Sequence, residues 1–226
     1  MKGIVFDFDG LILDTETVWY DSFREAFRQL HLDLPLEDFA SYVGTHGADF
    51  DRYLKERIGN EELLMAVKRT AKELHREKIQ KLDAREGVRT YLEEAKALDM
   101  KIGLASSSDR AWVRGFLGQL QLLSFFDAIK TADDVARVKP DPELYLQTIE
   151  ALQLTPGEAI AFEDSAPGAK AATTAGLHCV IVPNPVTGHL LFERYDLRLT
   201  SMAERPLSEI VRELERKASE RPRGLI

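Results

Sequence analysis

From Arg85 onward the sequence alternates between two patterns. Short apolar runs ("KIGLAS", "FDAIKT", "EAIAFED", "HCVIVPN") are separated by helical stretches: Gly87 to Leu98, Asp109 to Leu120, "PELYLQTIEAL" and "APGAKAATTAG". Strands alternating with helices of about ten residues build βαβ units, which assemble into a parallel sheet covered on both faces. The chain is thereby restricted to an α/β architecture. The early run Ile4-Val5-Phe6 has no such helix of its own and most simply joins the same sheet, and a weak strand near "YDLRLT" ends the series. From about Glu16 to Leu82 the pattern is helical instead. Trp19, Phe23, Ala26, Phe27 and Leu30 recur at helical spacing, and "DLPLEDF" starts another helix at Pro35. "YVGTHGADF" reads as a loop, and "GNEELLMAVKRTAKELHREKIQKL" as a long amphipathic helix. The expected architecture is a three-layer α/β/α core of residues 1–14 and 84–226, interrupted by an all-α insertion of residues 15–83 whose ends could hinge. The last residues, "ASERPRGLI", read as a helix end and a frayed tail.

The composition narrows the function classes. The chain has 226 residues, 44% hydrophobic and 30% charged, enough to bury a substantial core. Its net charge of -8 argues against a general affinity for nucleic acid. No run of about 18 apolar residues exists, so no membrane span is expected, and one lysine before the first strand does not make a signal peptide. The single cysteine, Cys179, excludes an intramolecular disulfide and fits a reducing compartment. A cytoplasmic protein is expected, with a monomer preferred.

Ligands of open α/β sheets bind outside the carboxyl ends of the strands. The first strand ends in Asp7 and Asp9, and "KIGLA" ends in Ser106, Ser107 and Ser108. "FDAIKT" leads on to Lys139, and "AIAF" ends in Glu163 and Asp164. Taken singly, each has a bland reading: Asp9-Gly10 as a turn, Ser108 or Asp109 as a helix cap, Glu163-Asp164 as a turn and cap. Taken together, Asp7, Asp9, Glu163 and Asp164 would raise one another's pKa values and destabilise the fold unless a cation were present. Oxygen ligands without thiolates suit Mg²⁺, which takes one or two carboxylates plus a substrate phosphate. Ser106, the amides after it and Lys139 could hold phosphate oxygens. One carboxylate could then attack phosphorus while the other moved the protons.

These motifs resemble those of the haloacid dehalogenase superfamily of phosphohydrolases, in particular its β-phosphoglucomutase-like branch. "DFDGLILDT" looks like the first motif, "LASSS" the second, "VKPDP" the third and "FEDSAPGAKAATTAG" the fourth, in register across nearly the whole chain. The resemblance implies a Rossmann-like core with a helical cap. It also implies that Asp7 is the nucleophile and Asp9 the general acid/base, that Ser106 binds the transferring phosphoryl group and that Lys139 neutralises its charge. Mg²⁺ would be held by the carboxylates of Asp7 and Asp164 and the carbonyl of Asp9, with Glu163 acting through water. Gly10 and Ser107 join the phosphate-contacting set, Thr15 marks the hinge, and Thr45 and His46 are the cap residues expected to meet the substrate, a small phosphorylated metabolite.

The departures carry information too. Haloacid dehalogenases themselves lack the second aspartate, so Asp9 favours phosphoryl transfer. Sugar phosphomutases of the branch carry a histidine where Trp19 stands, and a lysine where Val43 precedes Gly44; "GTHGAD" holds no Lys or Arg to clamp a second phosphate. Hydrolysis is therefore favoured over mutase chemistry. A phospho-acceptor of the response-regulator kind and a non-catalytic scaffold remain as rivals. The other histidines look bland: His31 and His75 lie on or beside helices whose charged faces read as solvated, His178 begins a strand, and His189 is in a late loop. Trp112 reads as a residue packing its helix on the sheet, and Cys179 as a core residue.

Overall fold

An apolar run without alternation, such as Ile4-Val5-Phe6, suits a strand covered on both faces. The computed structural model of the chain describes residues 1–43 and 47–220, with only the backbone of 47 and 48. In it β1 (Gly3–Phe6) is buried throughout and lies inside a six-stranded sheet. The other strands are β2 (Lys101–Ala105), β3 (Ala128–Lys130), β4 (Ala159–Glu163), β5 (His178–Ile181) and β6 (Leu197–Arg198). Their order is β3-β2-β1-β4-β5-β6, and every neighbouring pair is parallel. The chain builds outward from β1 in one direction and then from β4 in the other. The crevice at the carboxyl ends of β1 and β4 is thus the switch point where such sheets bind ligands.

Helices cover both faces. Ile4, Phe6, Leu104, Ile160 and Phe162 share one cluster with Tyr91 of α5 (Val88–Ala97), Val113 and Phe116 of α6 (Arg110–Gln119), and Ile210 and Leu214 of α9 (Leu207–Glu220). On the opposite face, Val5, Ala161, Cys179 and Ile181 pack on Leu144 and Ile149 of α7 (Glu143–Ala151) and on Ala169 and Ala172 of α8 (Ala166–Thr174). Side chains alternate along a strand, so these two clusters are the two halves of a three-layer core. The expected α/β class holds.

Between β1 and α5 the chain forms α1 (Thr15–Arg28), α2 (Leu36–Ala40), α3 (Gly47–Ile58) and α4 (Glu61–Ile79). They gather around a separate apolar cluster that includes Phe27, Phe39, Leu54, Leu64 and Val67. Their starts follow capping chemistry: Asp14 accepts the Thr17 N–H at 3.2 Å before α1, and Asn60 accepts the Leu63 N–H at 3.0 Å before α4. The stretch read as a loop after Tyr42 is shorter than expected, since α3 already begins at Gly47. Thr45 and His46 lie outside the described residues, as does the end of the tail. No helix among the described residues is long and apolar enough to cross a membrane.

Phe162 ties the sheet to its helices. It stacks on Phe6 with centroids 5.4 Å apart and meets Tyr91 edge-on at 5.3 Å. Truncating a fully buried phenylalanine removes its transfer energy and leaves a cavity, so Phe162→Ala should destabilise the protein by about 3–5 kcal/mol. Urea unfolding checks this; a loss below about 1 kcal/mol would mean the layer is not packed as described.

Candidate active site

Strand pairing brings the acids together. Phe6 is in register with Phe162 on the adjacent strand, so the residues that follow each of them leave the sheet side by side. Asp7, Glu163 and Asp164 each offer an oxygen, all within 4.8 Å of one another, and all three are buried. Among the described residues, one cation is bonded to them. Lys139, itself buried, places Nζ 2.5 Å from Asp7 Oδ1 and 2.7 Å from Glu163 Oε1. Tyr145 of α7 donates its hydroxyl to the same Glu163 oxygen at 2.5 Å, and its ring lies under the lysine, 5.0 Å from centroid to Nζ.

Asp164 is anchored on one side only. Its Oδ2 accepts from Asn184 Nδ2 at 2.7 Å, while Oδ1 is buried with no hydrogen-bond partner. A buried, unpartnered carboxylate oxygen is costly. Beside Asp7 and Glu163, the Asp164 carboxylate has the chemistry to take part in holding a hard divalent cation.

Asp9 sits differently. Ser108 donates its hydroxyl to Oδ2 at 2.6 Å, and Trp112 donates its indole N–H to Oδ1 at 2.9 Å. Ser106, also buried, accepts the Ser108 N–H on Oγ at 3.0 Å. A hydroxyl has one hydrogen of its own, and among the described residues no acceptor is recorded for that of Ser106. These side chains line a cavity of about 520 Å³ with Ser107, Thr15, Glu16, Trp19 and Val43. Glu163 and Gly10 do not line it.

Gly10 makes the turn that carries Asp9. Its φ is +79°, and a Cβ there would collide with Asp164 Oδ2 and Asn184 Nδ2; only glycine meets both demands cheaply. Its carbonyl accepts from Arg85 Nη1 at 2.5 Å, and the same guanidinium donates to the carbonyls of Val182 and Pro183. Gly168 in the first turn of α8 is required for a related reason, because a Cβ there would overlap the Glu163 carboxylate.

Charge crowding leaves its mark on these groups. Burial, with Glu163 and Asp9 adding to it and Lys139 opposing, lifts Asp7 to about 7. Burial and the charges of Asp7 and Glu163 hold Asp164 far above the usual carboxylate range. Burial pulls Lys139 down, but Asp7 and Glu163 outweigh it and keep the ammonium above its ordinary value. Asp9 is raised by burial against the bonds from Ser108 and Trp112. Glu16, at the start of α1, is pushed up to about 8 by burial and by Asp9, Asp7 and Asp14.

Asp7, Asp9, Ser106, Ser107, Lys139, Glu163 and Asp164 therefore converge at one edge of the sheet. Five participants were not singled out from sequence for this: Glu16, Arg85, Tyr145, Asn184 and Trp112. Trp112 was expected to pack its helix on the sheet, but its indole N–H reaches Asp9. Ser108 holds Asp9, and the cap of α6 is Asp109, which accepts the Trp112 N–H at 2.8 Å.

Comparisons with known proteins place the chain in a family. The family model of haloacid dehalogenase-like hydrolases matches residues 4–182. YhcW of Bacillus subtilis (strain 168), named as a phosphatase, is 51% identical over 215 residues, 92% of this chain and 95% of that protein. The phosphorylated carbohydrates phosphatase of Thermotoga maritima is 30% identical over 181 residues, 78% of this chain and 82% of its own. A crystal structure of a CbbY variant from Rhodobacter sphaeroides in complex with xylulose-(1,5)bisphosphate is similar with a TM-score of 0.68 at 27% identity, covering 90% of this chain and 96% of that one.

The raised carboxylates predict a pH dependence. Asp7 near 7 and Glu16 near 8 sit above their unfolded values, so the folded state keeps protons the unfolded chain has released, and stability falls as pH rises through that range. His75, lowered to about 4 by burial, acts oppositely, but only below its unfolded value of about 6.5. In chelator-treated protein the urea midpoint should therefore fall between pH 6.5 and 8, and Glu16→Gln should flatten the fall. A midpoint that rises over this window would contradict the electrostatics described.

Proposed function

This chain is a phosphoric monoester hydrolase belonging to the haloacid dehalogenase-like family, and we propose that it releases phosphate from a small phosphorylated metabolite through an aspartyl-phosphate on Asp7, with Mg²⁺ as cofactor. The observation that carries the proposal is the buried trio Asp7, Glu163 and Asp164, set against the single ammonium of Lys139.

In this reading the Asp7 carboxylate adds to phosphorus while the bond from phosphorus to the leaving oxygen breaks. Asp9, protonated at that stage, gives its proton to the departing alkoxide, so the product is the free alcohol. Asp9, now a carboxylate, takes a proton from water as the water oxygen attacks phosphorus, and phosphate leaves Asp7 regenerated. Ser108 and Trp112 hold the two Asp9 oxygens through both steps. Ser106 offers its hydroxyl hydrogen to a phosphoryl oxygen, the amides around Ser107 offer more, and Lys139 neutralises charge beside Asp7. The carboxylates of Asp7 and Asp164 and the carbonyl of Asp9 would hold Mg²⁺, with Glu163 linked through water. The ion would supply the positive charge that keeps these acids ionised and draws the phosphate in. Thr15 is read as the hinge residue, and residues 15–83 as a cap over the 1–14 and 84–226 core. A cytoplasmic setting goes with the reading, and the buried Cys179 is compatible with it.

A phosphorylated carbohydrate is the favoured substrate class. It is supported by the name of the Thermotoga maritima relative and by the sugar bisphosphate bound to the CbbY variant. Trp19, where sugar phosphomutases carry a histidine, stacks on His75 with centroids 3.6 Å apart, which supports hydrolysis over mutase chemistry.

Phosphate release from a panel of sugar phosphates, with and without Mg²⁺, tests the reading. Asp7→Asn should lower kcat by at least about 10³-fold while leaving the urea midpoint intact or raised, since it removes one charge of a crowded set. Activity near wild type in that variant, or release indifferent to chelation, would overturn the mechanism.

A further inference from the structure

A second cavity, of about 510 Å³, lies where α4 of the insertion faces α6 of the core. It shares Trp19 and Trp112 with the first, so the two indoles stand between them. Phe116 and Ile79 extend its apolar wall. His75 lines it as well, 5% exposed, stacked on Trp19 and lying nearly parallel to Trp112 at 6.0 Å, with Nε2 buried and unpartnered.

Charge distinguishes this cavity from the rest of an acidic chain. Lys72 and Arg76, one turn apart on α4 and exposed, stand at its mouth. No Asp or Glu is among the lining residues, and among the described residues neither cation has a carboxylate partner. The floor is equally particular. Gly115, inside α6, has nothing within 4 Å of where a Cβ would sit. A helix-interior glycine costs about 1 kcal/mol against alanine, and here its effect is to leave the cavity open.

We infer that this cavity binds a flat aromatic ring carrying an anionic group. The ring would lie among the indoles, Phe116 and His75, and the anion would meet Lys72 and Arg76. His75 stays neutral, because burial lowers it to about 4, so the wall it forms with Trp19 carries no charge. A sugar fits less well. The Gln119 amide already donates to the Gln80 carbonyl at 3.2 Å, and few other polar groups remain for a set of hydroxyls. The ligand is either a separate molecule or the aromatic leaving group of the phosphatase's substrate, an outcome that would displace the carbohydrate favoured above; the chemistry is the same.

Calorimetry of the full chain with 2-naphthalenesulfonate tests the site without turnover, so its failure is separate from failure of the phosphatase reading. Saturable binding at one site is expected. The double variant Lys72→Ala, Arg76→Ala should weaken it by roughly fivefold or more, the scale of partly exposed charge contacts, and Gly115→Leu should abolish it by filling the floor. Both changes are at exposed positions away from the catalytic acids. Absence of saturable binding, or equal binding in wild type and both variants, would overturn the inference. Hydrolysis of 2-naphthyl phosphate then separates the sources. A KM raised at least fivefold by Gly115→Leu, with the KM for a non-aromatic ester unchanged, assigns the site to the leaving group. Unchanged KM values for both esters, with binding of the sulfonate lost, assign it to a separate molecule.

Discussion

Two adjacent parallel strands, β1 and β4, run in register and both end in acids, so the sheet itself forces Asp7 beside Glu163 and Asp164. Like charges that close raise one another's pKa and oppose folding. Much of the surrounding structure can be read as the answer to that repulsion. Lys139 bridges two of the acids, Tyr145 donates to the oxygen it shares with Glu163, and Asn184 fixes one side of Asp164. Among the described residues Lys139 is the one cation bonded to these acids, so three ionised carboxylates here would carry net negative charge. That residue of charge is the physical reason a divalent cation suits the place, and it follows from the geometry before any family is considered.

The same crowding explains where small residues stand. Gly10 and Gly168 approach carboxylates so closely that a single methyl group would displace them. Alanines on α8 keep that helix close to β4 and β5 on the face opposite the aromatic cluster. Arg85 has a different part: three donated bonds tie the turn at Gly10 to the chain after β5. The acid-bearing turn is thereby braced from a segment far along the sequence, just where the helical insertion rejoins the core.

How much of this could be read from sequence depended on the range of the interaction. The strands were legible because their apolar runs are short and alternate with helical stretches, and the helices because periodicity and caps are local. The acids, Ser106 and Lys139 were legible because each stands at a strand end or in a recognisable motif. Tyr145, Asn184, Arg85 and Trp112 were not, since each acts through a partner far along the chain; Trp112 reaches Asp9 across 103 positions. In sequence Trp112 is one more apolar residue at helical spacing, and only the fold shows that its ring is packed while its N–H is aimed at a carboxylate. His75 misled for the converse reason. Charged neighbours on α4 suggested a solvated helix face, yet the imidazole is buried against Trp19.

The seam between insertion and core is therefore chemically continuous with the site. Trp19 and His75 belong to the inserted helices and Trp112 to the core, and the three rings form one aromatic stack across the boundary. Trp112 is at once a wall of the second cavity and a donor to Asp9. A ring moved at that wall carries its N–H with it, because indole is rigid, and the carboxylate that N–H holds is the one proposed to protonate the leaving group. Packing at the seam and proton transfer at the site thus share one side chain, so the fit of the insertion against the core bears directly on how Asp9 is held.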